Sequence, residues 1–162
     1  MTQPVSIRKA ELPDAETIAA FNTAMALETE DRRLLPERVG AGVRRLLSDP
    51  SLGFYVVAEK AGQVVGCLMI THEWSDWRNG LFWWIQSVYV EPGSRRGGVY
   101  RSLYEFIRTK AQDDAGICGF RLTVEKDNVD AQQTYRSLGM EATDYRVFEE
   151  LKQGVEYFGP TP

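Results

Sequence analysis

Histidine is almost missing from this chain: among 162 residues there is only His72. That scarcity removes most histidine-based zinc sites and makes any histidine-centred catalytic triad depend on one residue. Cysteine is nearly as rare. Cys67 and Cys118 stand far apart, in no C-x-x-C arrangement, so neither a disulfide framework nor a redox motif is expected, and the default is a reduced, cytoplasmic protein. No apolar run is long enough to span a bilayer, and "MTQPVSIRKAELPD" has no apolar signal core. Basic charge is not in excess. A formal net charge of −4 and a pI of about 5.1 disfavour non-specific binding to nucleic acid or anionic membrane. Linkers, repeats and low-complexity segments are absent too, so residues 1–162 read as a single domain with one substantial core.

What is present alternates between helical and strand-like patterns. "VSIRKA" reads as a first strand. Pro13, Asp14 and Glu16 suit a helix start, with Ile18, Phe21 and Met25 as its apolar stripe. A second helix begins near Pro36 and carries Val39, Val43, Leu46 and Leu47 on one face. "FYVVAEKAGQVVGCLMITHEW" reads as two strands joined by a tight turn at "KAGQ". After "SDWRNG", with its Asn-Gly turn signal, "LFWWIQSVYVE" completes an antiparallel meander. Val99, Leu103, Phe106, Ile107 and Ala111 then follow helical spacing. "GFRLTVE" is a further strand, and Ala131, Thr134, Tyr135 and Leu138 predict a helix closed by Gly139. "EATDYRVFEEL" predicts a last strand, with a short one near "VEYFG".

The junction "PGSRRGGVY", residues 92–100, links an apolar strand to an amphipathic helix. The first turn of a helix has unpaired N–H groups and partial positive charge, so it suits an anion. Gly97 and Gly98 permit close approach of a phosphate, and Arg95 and Arg96 can add charge-assisted hydrogen bonds. The stretch is neither a Walker loop, which needs a lysine after its glycines, nor a G-x-G-x-x-G dinucleotide fingerprint.

Two motifs carry a family resemblance. "VYVEPGSRRGGVYRSL" resembles the acetyl-coenzyme A signature [Q/R]-x-x-G-x-[G/A] of the GNAT superfamily of N-acetyltransferases, matched at Arg95 and Gly98. Tyr100 departs from it by replacing the usual small residue. "NVDAQQTYRSLGM" resembles the later N-x-x-A-x-x-x-Y-x-x-x-G-[FM] segment through Asn128, Ala131, Tyr135, Gly139 and Met140. The resemblance implies an α/β fold of the α+β type: a mixed, mostly antiparallel sheet with a splayed central strand pair, Trp84–Val90 and Phe120–Glu125, flanked by about four helices.

It further implies acetyl-CoA as co-substrate, with no metal. The expected cofactor contacts are Val88, Tyr89 and Val90 along the splayed strand, then Arg95, Arg96, Gly97, Gly98, Val99, Tyr100 and Arg101 at the turn. Asn128, Ala131 and Tyr135 complete that set. Tyr135 is expected to be the general acid that protonates the leaving thiolate, and a backbone N–H near Val88 the oxyanion donor. Many relatives carry a glutamate on the splayed strand, but "WWIQSVYV" offers only Gln86 and Ser87. The proton acceptor is open among Glu28, Glu30, Glu125, His72 and water, with Glu28 and Glu30 as the expected catalytic carboxylates.

The acceptor expected is a small cationic amine, attacking directly in a ternary complex. Trp74, Trp77, Phe82, Trp83 and Trp84 either pack the core and a homodimer interface or stack on that acceptor. In the second case Glu28, Glu30, Asp31, Glu73 or Asp76 would attract its charge. The alternative function is a non-catalytic acyl-CoA sensor of the same fold.

Overall fold

Alternation of apolar side chains builds the meander, and each face of it receives its own helices. The computed structural model describes residues 4–160. Strand β1 (Ser6–Lys9) is followed by helices α1 (Ala15–Glu30) and α2 (Pro36–Ser48). Strands β2 (Phe54–Lys60), β3 (Gln63–Ser75) and β4 (Gly80–Val90) come next, then helix α3 (Val99–Gln112), strand β5 (Ile117–Arg121) and helix α4 (Val129–Ser137). The sheet order is β1-β2-β3-β4-β5, antiparallel except for the parallel β4–β5 pair. This is the mixed, mostly antiparallel sheet expected. The chain divides into two compact units, one running to Leu122 and including the segment from Tyr157, the other spanning Thr123–Glu156.

In the first unit, Ile18, Phe21, Val43 and Leu46 of α1 and α2 pack on Tyr55, Val57, Cys67 and Tyr89. The opposite face carries Trp83 and Phe120, and there α3 lays Tyr104 against Phe120 at 5.8 Å. The "KAGQ" turn is as tight as expected: Ala61 and Gly62 both have positive φ, 54° and 75°, which a two-residue hairpin turn of the right twist requires. Asn79, φ 47°, makes the turn into β4.

The start of α1 differs from expectation. Leu12–Asp14 form a 3-10 turn and α1 begins at Ala15. Asp14 is buried, receives Arg8 on both oxygens at 2.8 and 2.9 Å, and accepts the Glu11 N–H at 2.8 Å.

Two strand expectations need correction. β5 ends at Arg121 rather than Glu125, because its register with β4 ends there. Residues 141–151 form no strand, and Tyr145 and Phe148 are 84% and 94% exposed. An alternating pattern with no partner strand cannot pair its backbone. The segment "VEYFG" contributes a single bridge, Leu34 to Phe158.

Candidate active site

The first element of the site is a bulge in β4. Met69 pairs with Gln86 and Cys67 with Tyr89, so two β4 residues, Ser87 and Val88, oppose Leu68 alone. Ser87 takes φ 49° to accommodate the extra residue, and its carbonyl accepts a 3.6 Å contact from the Cys67 thiol. Burial pushes that thiol up to about 12, so it is a neutral packing group. On the other side, β5 pairs with β4 only from Leu81 to Trp84. From Ile85 to Val90, therefore, β4 has no strand partner on its β5 side among the described residues. The expected splay between Trp84–Val90 and Phe120–Glu125 is thus corrected: Trp84 and Phe120 lie in the paired part and β5 stops at Arg121, while the bare stretch of β4 includes Val88, Tyr89 and Val90.

β4 runs into the Arg- and Gly-rich turn. A 3-10 turn at Pro92–Ser94 is followed by Arg96 with φ 61° and Gly98 with φ 79°, and α3 starts at Val99 without a side-chain cap. A Cβ added to Gly98 would meet nothing within 4 Å, so the space above this turn is open to a ligand. Uncapped first-turn N–H groups, those of Val99 and Arg101 among them, can serve an anion there. The residues present thus fit a pyrophosphate. The Tyr100 ring lies against Tyr104 at 6.4 Å.

The two arginines differ. Arg96 is exposed. Arg95 turns back: its Nε donates to the Val90 carbonyl at 2.8 Å, its Nη2 donates to Glu28 at 2.7 Å, and its guanidinium lies 5.4 Å from the Tyr89 ring centre. The Tyr89 hydroxyl donates to the other Glu28 oxygen at 3.1 Å. Arg95 holds the Glu28 carboxyl below the usual carboxylate range, while burial and the neighbouring carboxylate push the Tyr89 phenol up. Glu30 is 58% exposed and faces Arg32 at 3.9 Å.

In the second unit, Asn128 caps α4 by accepting the Ala131 N–H at 3.1 Å. Gln132 closes the preceding loop by donating to the Glu125 and Lys126 carbonyls at 3.2 and 2.9 Å. Gly139, φ 95°, ends the helix, with Met140 N–H returning to the Tyr135 carbonyl at 3.1 Å. Burial raises the Tyr135 phenol, so it stays protonated well through neutral pH.

Of the aromatic cluster, Phe82 and Trp83 are buried, Trp84 is half-buried, and Trp74 and Trp77 are 60% and 87% exposed. The Trp84 indole N–H donates to Glu73 at 2.7 Å, and Arg121 bonds the other oxygen of the same carboxylate. Gln86 donates to the Thr71 hydroxyl. Arg121 was not singled out by sequence; a charge inside an expected strand carries no local signal of a partner 48 positions away. A separate concavity of about 360 Å³, lined by Lys9, Phe54, Trp83, Phe106 and Lys110, touches neither the bulge nor the turn.

Residues 11–140 match the model of the Acetyltransferase (GNAT) family. No curated protein matches the chain. Among solved structures, a possible acetyltransferase from Clostridium difficile 630 is 44% identical, with a TM-score of 0.85 over 91% of this chain and 97% of that one. A predicted acetyltransferase with acetyl-CoA from Clostridium acetobutylicum shares the fold at 18% identity, TM-score 0.73, over 91% and 96% of the two chains. So does an aminoglycoside acetyltransferase in complex with sisomicin from an uncultured soil metagenomic sample, at 16% identity, TM-score 0.74, over 91% and 97%.

Proposed function

The chain belongs to the GNAT family of acetyltransferases, and from that premise we propose that it acetylates the primary amine of a small acceptor that arrives as a cation. The observation that most supports this reading is the β4 run from Ile85 to Val90, which lacks a β5 partner and leads directly into the uncapped start of α3. Val88, Tyr89 and Val90 would hold the pantetheine arm by backbone hydrogen bonds. Gly97, Gly98, Val99, Tyr100 and Arg101 would hold the pyrophosphate by backbone N–H groups, with Arg96 adding its charge. Acetyl-CoA supplies the activated acyl group as a thioester.

The amine attacks that carbon directly, without an acyl-enzyme. Tyr135, kept protonated, serves as the acid for the leaving thiolate. Asn128 and Ala131 serve it by fixing the start of α4. Glu28, held ionised by Arg95, is better suited to bracing the turn than to accepting a proton. That leaves Glu30, Glu125, His72 and solvent to take one proton from the ammonium before attack and a second as the amide forms. A cytoplasmic homodimer belongs to the same proposal, supported by two free cysteines and by exposed Trp74 and Trp77.

The deciding experiment pairs a thermal-shift titration with acetyl-CoA and an amine-library screen that detects released thiol. Stabilisation with turnover supports the transferase. Stabilisation without turnover on any amine makes the chain an acyl-CoA sensor.

A further inference from the structure

The unit Thr123–Glu156 buries little of its own apolar surface. Leu138 is its one buried residue, and every residue from Glu141 to Glu156 is exposed, Tyr145, Val147, Phe148 and Leu151 among them. Large apolar side chains grouped in this way mark an interaction surface. The backbone of the same stretch is equally bare: from Glu141 to Leu151 no N–H or carbonyl bonds to another described residue. Strand-like alternation beside unpaired backbone groups is a template for a second strand.

Glycines punctuate the stretch at both ends. Gly139, φ 95°, closes α4, and Gly154, φ 80°, lies in a turn whose Val155 N–H returns to the Lys152 carbonyl at 3.3 Å. Between them, extended backbone would place Tyr145, Val147, Glu149 and Leu151 on one face, with Asp144, Arg146, Phe148, Glu150 and Lys152 on the other. None of these charged side chains joins an ion pair among the described residues.

The order of those charges makes the stretch complementary to itself. In an antiparallel pair of copies centred on Phe148, Arg146 faces Glu150, Tyr145 faces Leu151 and Asp144 faces Lys152. The two-fold axis repeats each of these pairs. Opposite charges and aromatic–aliphatic pairs set directly across a ladder are the contacts that stabilise it. Neighbouring registers lose them. A shift by one pair sets Asp144 against Leu151 in one direction and Arg146 against Leu151 in the other. A shift by two brings like charges together, Asp144 on Glu150 or Arg146 on Lys152. Charge therefore selects a single register.

We propose that residues 141–152 form a homodimer interface, in which the stretches of two copies pair antiparallel through their backbones with Phe148 against Phe148 on the two-fold axis. The partner is a second copy of this chain, since the complementary charge order is the chain's own order reversed. The pairing goes beyond the transferase reading and does not depend on it. It also gives the homodimer a surface apart from Trp74 and Trp77. A two-stranded ribbon is marginal by itself, so this dimer dissociates on dilution, and salt weakens it by screening its charge pairs.

Sedimentation velocity of the full chain over a concentration series tests the interface, beside disulfide trapping. The wild type should pass from monomer to dimer. Arg146→Glu or Glu150→Arg alone should weaken the dimer by roughly 10- to 100-fold, because each turns two attractive cross-strand pairs into repulsive ones. The two substitutions together should restore it. In a Cys118→Ser background, mild oxidation should trap Phe148→Cys as a dimer about 10-fold faster or more than Tyr145→Cys, whose two copies stand far apart in this register. All of the substituted side chains are exposed, and circular dichroism confirms that each variant keeps its fold. A wild type that stays monomeric overturns the interface. So does a dimer indifferent to the single charge swaps, a double variant no stronger than either single one, or equal trapping of the two cysteine variants. None of these outcomes touches the transferase reading, which turnover decides.

Discussion

Tyr89 and Glu28 meet, hydroxyl to carboxylate at 3.1 Å, because β4 gains one residue between Gln86 and Tyr89. Strict alternation would put Tyr89 on the same face as Trp83 and Ile85, against α3. The bulge at Ser87 and Val88 reverses the faces, and Tyr89 turns towards α1, with Phe21 at 5.0 Å. Arg95 then completes the tie by reaching the same Glu28 carboxylate. One inserted residue thereby joins the last turn of α1 to the Arg- and Gly-rich turn before α3.

The two neighbouring arginines should separate by their effects. Arg95→Ala removes bonds to Glu28 and Val90 within the free protein, so it should lower Tm as well as acetyl-CoA affinity. Arg96→Ala removes only an exposed charge, so Tm should stay within error while affinity falls about 10-fold or more, the scale of a hydrogen bond to a charged group. Calorimetric titration beside thermal melting checks this. An Arg96→Ala variant with wild-type affinity would remove Arg96 from the phosphate site.

Tyr135→Phe keeps the ring and deletes the hydroxyl. We expect kcat to fall about 10²–10⁴-fold with acetyl-CoA affinity nearly unchanged, since a general acid acts in the transition state. Burial raises the Tyr135 phenol above its ordinary value of 10.0. The alkaline limb of the wild-type pH–rate profile should accordingly lie above that value and disappear in the variant. Full turnover by Tyr135→Phe on the true acceptor would return Tyr135 to a packing role.

Asp14 should make the fold acid-sensitive. Arg8, joined by the Glu11 N–H, lowers its pKa below the ordinary 3.8 against the opposing effect of burial. A depressed carboxylate contributes stability above its unfolded pKa and loses it as pH falls through the folded value. Asp14→Asn should therefore cost about 1–2 kcal/mol at pH 7, the Arg8 partner being partly screened by solvent. The difference from wild type should shrink below pH 3.8. Urea melts at the two pH values measure it, and a pH-independent cost would assign the loss to packing alone.

Cys67 and Cys118 should differ in reactivity. The first is buried with its thiol pushed up to about 12, and the second is exposed. At pH 8 a folded sample should alkylate at Cys118 and spare Cys67, with both reacting in denaturant. Mass spectrometry of the labelled peptides would show it. Rapid labelling of folded Cys67 would mean that the β3–β4 pair opens readily.

Much of this architecture was legible locally. The hairpin at "KAGQ", the helix after Gly98 and the end of α4 at Gly139 all follow from glycines at positive φ beside periodic apolar residues. The bulge was not, because Ser87 adopts φ 49° with neither glycine nor proline to mark it. Residues 141–151 misled for the opposite reason. Their alternation is good, but a strand needs a neighbour, which a sequence pattern does not reveal. The Glu28–Arg95 pair and the Glu73–Arg121 pair bridge 67 and 48 positions, so neither could be read from spacing. Both became visible only once β4 and its neighbours were in register.

The bare side of β4 also bears on how the protein is handled. Among the described residues, backbone from Ile85 to Val90 has no strand to pair with on the side away from β3, so it resembles an edge strand placed inside a sheet. Edges of that kind are templates for pairing with another chain. A pantetheine arm lying along the run, as proposed above, would cover it, and acyl-CoA would then act as a plug as well as a substrate. Cofactor-free stocks should thus self-associate on storage more readily than saturated ones, as light scattering of the two would reveal.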